Sequence, residues 1–173
     1  MIKAAQKYGW RLWLAGFLLA GTCFAQTWGS VSGGYIYQVS ETPTGHWVSF
    51  NGWYGLGTYN ITKQVSLFGD FPNFYATGHN IHVQLYGVSY AFGNKTRFTP
   101  FVFIGPGFIR DSYAGAVNYS FAWCVGGGLL IRLTRWVSFQ TIPVEYVMNT
   151  ANWKVGNNFD ARAGFTLTIP KSH

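Results

Sequence analysis

Residues 157–169 read NNFDARAGFTLTI, and this stretch alternates strictly between two kinds of side chain. One set is apolar: Phe159, Ala161, Ala163, Phe165, Leu167 and Ile169. The residues between them are polar or small: Asn158, Asp160, Arg162, Gly164, Thr166 and Thr168. Successive side chains of a β-strand point to opposite faces, so this period of two predicts a strand with one apolar and one polar face.

Seven earlier segments show related alternation and are separated by turn residues. The predicted strands lie near residues 29–39, 46–59, 64–71, 79–92, 98–109, 119–132 and 136–148. Eight such strands that close on themselves form a cylinder with an apolar outer wall and a polar inner wall, which is typical of a barrel in lipid. The sequence therefore predicts an all-β fold, an eight-stranded antiparallel up-and-down transmembrane β-barrel with a packed polar lumen.

The connections between the predicted strands alternate in length. Those after strands two, four and six have about three to five residues, and the other four have about six to nine, as in outer-membrane barrels with short periplasmic turns and longer outer loops. Pro143 lies inside predicted strand seven, where proline cannot donate to the ladder, so a local kink is expected there. Strand five is apolar on both faces, and its orientation stays open.

The N-terminal segment has the pattern of an export signal. An apolar run at 12–19 follows three basic residues, Lys3, Lys7 and Arg11. A small residue, Ala25, stands at the expected cleavage position. The run is shorter than the roughly 20 apolar residues that span a bilayer. We therefore expect residues 1–25 to be a cleavable signal peptide and 26–173 to be the barrel domain. A lipoprotein anchor on Cys23 is the alternative.

Composition excludes several classes of protein. Charged residues make up 10% of the chain, against roughly 25% in soluble domains, and aromatic residues make up 20%. Without the signal, nine basic and five acidic residues leave a net charge of +4, spread along the chain, so a nucleic-acid partner is not expected. Only Cys124 remains after cleavage, so no intramolecular disulfide is expected.

Two groups of residues are candidates for function. The first is a set of polar side chains predicted to point into the lumen: Asp70, His82, Gln84, Glu145, Asp160 and Arg162. Such a cluster either binds or gates ions, or pairs internally and fills an interior that is only wide enough for side chains. The second group lies in the predicted longer loops and offers surface contacts: Tyr75, Tyr113 and Trp153.

Catalytic and metal sites are not expected. His79 and His82 are three residues apart, which puts them on opposite faces of a strand, and metal ligands must converge. The chain has no nucleophile set and no paired carboxylates, so neither catalysis nor a cofactor is predicted. Aromatic residues are dense where the predicted strands end, which indicates two interfacial girdles. They are Trp28, Tyr59, Phe92, Phe98 and Trp136 at the turns, and Trp47, Tyr119 and Tyr146 at the loops.

The chain resembles the small bacterial outer-membrane β-barrel proteins with the eight-stranded OmpA/OmpX-like architecture. The segments that carry the resemblance are FNGWYG at 50–55, TPFVFIG at 99–105, FAWCVGGG at 121–128, VEY at 144–146, NNF at 157–159 and AG at 163–164. The resemblance implies a porin-like fold in the outer membrane of a Gram-negative cell envelope. It also implies outer-membrane lipid as the surroundings, the barrel-assembly machinery and periplasmic chaperones as partners during biogenesis, and a monomer whose extracellular partner is unknown.

Three functions are compatible with these observations. The first is an envelope or surface-interaction role through the outer loops, without catalysis. The second is a narrow channel for ions or small solutes, although open aqueous pores belong to larger barrels. The third is a secreted, lipocalin-like carrier of a small apolar ligand, which requires the reverse polarity, with apolar residues inside and charge outside.

Overall fold

The structure is a computed structural model, and it describes residues 27–41, 45–76, 79–93, 96–113, 116–151 and 154–170. The signal segment 1–25 lies outside these residues. The strands are β1 (Thr27–Glu41), β2 (Trp47–Asn60), β3 (Val65–Ala76), β4 (His79–Ala91), β5 (Phe98–Tyr113), β6 (Ala116–Arg132), β7 (Val137–Ala151) and β8 (Lys154–Pro170). Within the described ranges no helix is long and apolar enough to cross a membrane.

The eight strands form one closed antiparallel barrel in the order of the sequence. Each strand pairs with the next, and β8 pairs with β1 from Gly29 opposite Ile169 to Ser40 opposite Asn158. Closure satisfies the backbone groups that an open sheet would leave unpaired at its two edges. The predicted fold class and the eight strands are confirmed.

The strands run further than predicted at one end of the barrel. Only two residues separate β3 from β4, β5 from β6 and β7 from β8, and five separate β1 from β2. The prediction of four long loops is therefore wrong. Pairing continues to the tips, as Ala76 opposite His79 shows, because ladder bonds satisfy the backbone whatever the polarity of the side chains. We call this end the hairpin end, and the end with connections 61–64, 92–97 and 133–136 the turn end.

The outer wall is apolar around the whole barrel. Outward side chains at mid-strand include Val31, Tyr35, Trp53, Leu67, Phe71, Tyr86, Val88, Ile104, Phe108, Trp123, Val125, Phe165 and Leu167, all more than two-fifths exposed. The orientation of β5 is now assigned: Phe101, Phe103 and Ile109 are buried inside, and Val102, Ile104 and Phe108 face outward. In β2 the aromatic residues Phe50 and Tyr54 also turn inward.

A β-bulge interrupts β7 at Pro143. Ile142 lies opposite Arg162 and Glu145 lies opposite Asp160, so three residue steps on β7 match two on β8. The same mismatch occurs on the β6 side. The expected kink at Pro143 is confirmed, and it takes the form of one extra residue. Because that residue reverses the in–out alternation, Ile142 and Glu145 both face the lumen and are buried.

Candidate functional site

The centre of the lumen is occupied by the guanidinium group of Arg162, which projects inward from β8. Its Nη1 donates to Asp70 Oδ2 on β3, across the barrel, and its Nη2 donates to Glu145 Oε2 on β7. Asp160 Oδ2 lies 4.0 Å from Nη2. All four side chains are almost wholly inaccessible to solvent. We call these four residues the lumen cluster.

The lumen cluster ties distant strands together. Residues 70 and 162 are 92 positions apart in the sequence, and their ion pair joins β3 to β8 through the interior. The bulge at Pro143 supplies the other contact, since without the extra residue Glu145 would face the outer wall. Charged hydrogen bonds of this kind are stronger than neutral ones, and in an interior that excludes water they hold the walls at a defined separation.

The charges of the lumen cluster are not balanced, since one guanidinium faces three carboxyl groups. Four of its polar atoms have no hydrogen-bond partner among the described residues: Asp70 Oδ1, Glu145 Oε1, Asp160 Oδ1 and Arg162 Nε. Buried groups of this kind carry a large desolvation cost unless they are paired. Replacement of one member of the cluster therefore leaves a buried neighbour without one of its partners, and we expect such replacements to lower the stability of the barrel.

Tyr54 packs against the lumen cluster from β2. The Arg162 Cζ atom lies 5.4 Å from the centre of the Tyr54 ring, a cation–π arrangement. Gly164, on β8, leaves room for the phenol, because a Cβ at that position would lie 2.6 Å from the Tyr54 hydroxyl oxygen. Sequence reasoning missed Tyr54, since an inward tyrosine on a strand with aromatic residues on both faces has no distinct periodic signal.

A network of neutral polar groups extends from the lumen cluster along β7, β8 and β1. The Ser32 and Thr166 hydroxyl oxygens are 2.8 Å apart, and Thr166 donates to Gln140 Oε1 at 3.3 Å. Towards the hairpin end, Asn158 Nδ2 donates to the Val147 carbonyl at 2.8 Å and to Asn149 Oδ1 at 3.0 Å. We call the inward faces of these three strands the polar wall.

The opposite side of the lumen is apolar, which corrects two of the predicted site residues. Ile81, Val83 and Leu85 on β4 are buried inside, so His82 and Gln84 lie on the outer wall. His82 contacts Asn73 Oδ1 there, and Gln84 is exposed. The prediction of an inward His82 and Gln84 is wrong, because in this sector the apolar face fills the interior and the polar face does not. We call the inward faces of β4 and β5 the apolar wall.

The apolar wall is packed by aromatic rings. Phe103 on β5 meets Phe68 edge to face at 5.6 Å between ring centres and stacks with Phe101 at 6.2 Å. Gly126 on β6 admits this ring, since a Cβ there would lie 2.5 Å from Phe103 Cζ. These contacts fill the half of the lumen that faces the polar wall.

A cavity of about 180 Å³ lies between the lumen cluster and the turn end. Its lining combines hydroxyl and amide groups with three aromatic rings: Ser30, Ser32, Thr58, Asn60, Gln140, Thr166, Phe68, Phe101 and Phe103. Lys63 lies at its outer margin, and Arg162 with Asp70 borders its inner end. The cavity therefore extends from the turn end of the barrel to the lumen cluster.

A second ionisable pair lies in the lumen near the hairpin end. His79 Nε2 is 2.5 Å from Asp111 Oδ1, and the His79 ring meets Phe50 edge to face at 5.1 Å between centres. Residues 79 and 82 face opposite sides of β4, as their spacing predicts. No group of three or more His, Cys, Asp or Glu side chains converges on a possible metal position within the described ranges.

Of the three predicted loop contacts, only Tyr75 has a side chain that the structure describes. Tyr75 lies within β3, on the outer wall, where its ring packs edge to face with His82. The prediction that it lies in a loop is wrong, because β3 continues to Ala76. Tyr113 is the last residue of β5, and the structure does not describe its side chain. Trp153 lies outside the described residues.

The predicted aromatic girdles lie on the outer wall. At the turn end, Trp28, Tyr59, Phe92, Phe98 and Trp136 are exposed, and at the hairpin end Trp47 and Tyr119 are exposed and Tyr146 is half-buried. Two rings of amphipathic side chains therefore flank the apolar outer wall, the arrangement that aromatic residues adopt at the two surfaces of a bilayer.

Comparison with solved structures places this fold among bacterial outer-membrane barrels. Neisserial surface protein A matches with a TM-score of 0.71 and 13% identity over 82% of this chain and 97% of that one. OprG of Pseudomonas aeruginosa matches with a TM-score of 0.57 and 10% identity, over 85% of this chain and 99% of that one. The N-terminal β-barrel domain of Pseudomonas aeruginosa OprF matches with a TM-score of 0.56 and 14% identity, over 82% of this chain and 100% of that one. No protein-family model and no curated protein matches the sequence. The chain has the fold of the small eight-stranded outer-membrane barrels.

Proposed function

We propose that this protein is an integral outer-membrane barrel that spans the bilayer with a packed lumen. In this role it serves the envelope structurally or presents its hairpin end to a partner outside the cell, and it carries out no catalytic step. The observation that carries the proposal is the outer wall, which exposes aliphatic and aromatic side chains at mid-strand on all eight strands and is bordered by aromatic girdles. Such a surface is stable in hydrocarbon and insoluble in water.

The lengths of the strands support an extended outer portion. A strand of 17 residues, the length of β6 and β8, measures about 56 Å at the usual rise per residue. At a tilt of roughly 40° it covers about 43 Å along the barrel axis, against an apolar band about 25 Å tall. The strand ends therefore extend beyond the hydrocarbon, where Arg110 and Val117 are exposed at the hairpin end. These extensions take the place of long loops as the surface for contacts.

The lumen cluster argues against the alternative of an open channel. Arg162 bridges β3, β7 and β8 across the interior, and the apolar wall fills the space opposite. An eight-stranded barrel has an interior that its own side chains fill, whereas open pores require more strands. A path for ions would require at least two ion pairs to break and a buried guanidinium to move.

The polarity of the barrel argues against the lipocalin-like alternative. A soluble carrier requires an apolar interior and a charged exterior. Here four charged side chains are buried in the lumen, and most exposed side chains of the outer wall are aliphatic or aromatic. The low content of charged residues, 10% of the chain, leaves too few to solubilise that wall.

Electrophoresis and fractionation test the proposal together. We expect the native protein to require detergent for extraction from the envelope, and to migrate differently in gels before and after boiling, because a closed barrel resists unfolding by detergent. Recovery in the soluble periplasm without detergent contradicts the membrane assignment. Discrete conductance steps from the pure protein in a planar bilayer contradict the packed lumen and favour the channel.

A further inference from the structure

Three exposed arginines lie at the turn end, in or beside the β4–β5 and β6–β7 connections. Arg97 precedes β5, Arg132 ends β6, and Arg135 lies in the following turn. The Arg132 backbone N–H donates to the Arg97 carbonyl at 2.9 Å, and its Nη2 donates to the Thr96 carbonyl at 3.0 Å. These contacts draw the end of β6 against the β4–β5 turn and hold Arg132 beside Arg97. We call Arg97, Arg132 and Arg135 the arginine rim.

No acidic side chain accompanies the arginine rim. The chain has five carboxylate residues, and the structure places all of them elsewhere: Asp70, Glu145 and Asp160 in the lumen, and Glu41 and Asp111 on the strand segments at the hairpin end. Like charges on one surface repel each other, and the energy falls when an anion from the surroundings lies among them. Within the part of the chain that the structure describes, no carboxylate lies at this surface.

The arginine rim adjoins apolar side chains that mark a membrane interface. Phe98, Leu133 and Trp136 are each at least 40% exposed and lie beside the three arginines in the sequence. Arg135 Cζ lies 4.7 Å from the centre of the Trp136 ring. Since aromatic rings of this kind lie at the level of lipid headgroups, the guanidinium groups lie at the level of the headgroup phosphates.

We infer that the arginine rim is a binding site for the phosphate groups of anionic phospholipids in the leaflet around the turn end. This inference rests on the proposed function, because it requires the barrel to span a bilayer. The guanidinium fork matches two phosphate oxygens at once, and the three forks present their donors to one region of the leaflet. Each cationic side chain near a membrane surface raises the affinity for anionic lipid roughly fivefold.

Lipid retention tests the inference on the full-length protein. The protein is inserted into vesicles of equal parts phosphatidylglycerol and phosphatidylcholine, extracted gently, and analysed by native mass spectrometry. We expect bound phosphatidylglycerol to exceed phosphatidylcholine by about tenfold or more, given the three charges of the rim. Replacement of all three arginines (Arg97→Gln, Arg132→Gln and Arg135→Gln) reduces the bound lipid to the composition of the vesicle, whereas replacement by lysine retains part of the preference.

The matched control is Arg110→Gln, which removes an exposed arginine near the hairpin end and retains the lipid preference. An equal loss in this variant overturns the inference, because net charge alone then explains binding. Complete displacement of phosphatidylglycerol by inorganic phosphate also overturns it and identifies a site for free phosphate. The gel migration of each variant before and after boiling shows whether it still forms a closed barrel, and this distinguishes failure of the proposed function from failure of the present inference. A protein that does not insert contradicts the proposed function, and one that inserts without lipid preference contradicts this inference alone.

Discussion

The polar wall and the apolar wall of the lumen face each other across one barrel and are stabilised in different ways. On β8 and β1 most inward residues are polar, among them Ser32, Gln38, Asp160, Arg162 and Thr166, and some of them hydrogen-bond across strands, as Ser32 and Thr166 do. On β4 and β5 most of the buried inward residues are aliphatic or aromatic, and the rings pack against each other, as Phe103 does, with the His79–Asp111 pair at the hairpin end. The outward residues of both walls are largely apolar, with His82 and Gln84 on β4 as exceptions.

This difference shows what period-two alternation can and cannot specify. On the polar wall, polarity separates the two faces of each strand, so the lumen side is evident. On the apolar wall both faces are largely apolar, and on β4 the more polar face, with His82 and Gln84, points outward. A narrow barrel has an interior of packed side chains, so burial there does not require polar residues.

The largest effect is expected from deletion of Pro143, which removes the extra residue that lets Ile142 and Glu145 both face the lumen. The in–out alternation of β7 then reverses on one side of the deletion, and Glu145 leaves the lumen cluster or Ile142 turns outward. We expect a loss of about 4 kcal/mol or more of unfolding free energy, the range for broken buried ion pairs, or failure to refold. Urea unfolding in detergent micelles, followed by tryptophan fluorescence, measures it.

The control for this deletion is Pro143→Ala, which keeps the extra residue. We expect it to change the unfolding free energy by less than about 1 kcal/mol, the scale of proline's effect on the unfolded chain. Equal destabilisation by deletion and substitution would show that the ring, rather than the residue count, sets the position of Glu145.

A second large effect is expected from Arg162→Leu, which breaks the polar wall at its centre. Three carboxyl groups then remain buried without their shared cation, and the expected loss is about 3–5 kcal/mol. The same micelle unfolding assay measures it, with Arg110→Gln on the exposed surface as a control that stays near the unsubstituted value.

Neutralisation of the carboxyl groups sharpens this result. The variant that combines Arg162→Leu with Asp70→Asn, Glu145→Gln and Asp160→Asn removes the uncompensated charge, so we expect most of the lost stability to return. If the combined variant is no more stable than Arg162→Leu alone, the loss in the single variant arises from packing rather than from charge.

The apolar wall is expected to respond to truncation rather than to loss of charge. Leu85→Ala removes a side chain that is fully buried in the lumen and leaves a cavity, at an expected cost of about 3 kcal/mol. Val88→Ala, on the outer face of the same strand, is the matched control, with an expected cost below about 1 kcal/mol in the micelle assay. A larger loss at Val88 than at Leu85 would reverse the assignment of the two faces of β4.

The smallest effect is expected from Gln84→Leu. Because Gln84 lies on the outer wall and is exposed, the substitution makes that wall more apolar without touching the lumen. We expect a change within about 0.5 kcal/mol in the micelle assay. A loss as large as that of Leu85→Ala would return Gln84 to the interior, as the alternation on its own suggested.

The candidate site could be predicted in part, and the successes have a common cause. Asp160 and Arg162 lie on the strand with the clearest alternation, and Asp70 lies on a strand whose apolar positions alternate well, so all three could be assigned to the lumen. The inward direction of Glu145 could not be derived from alternation, since the bulge that turns it inward depends on pairing with β6 and β8. Tyr54 and the His79–Asp111 pair carried no comparable signal, because their partners lie on other strands.

The sequence by itself determined the strand count, the antiparallel closed fold, the apolar outer wall and the irregularity at Pro143, because these depend on periodicity and backbone chemistry within each segment. The tertiary structure alone decided which face of β2, β4 and β5 fills the lumen, how far the hairpins extend, and which carboxyl groups meet Arg162. Those features depend on register between strands and on the volume of a closed interior. Neither quantity exists until the eight strands have paired.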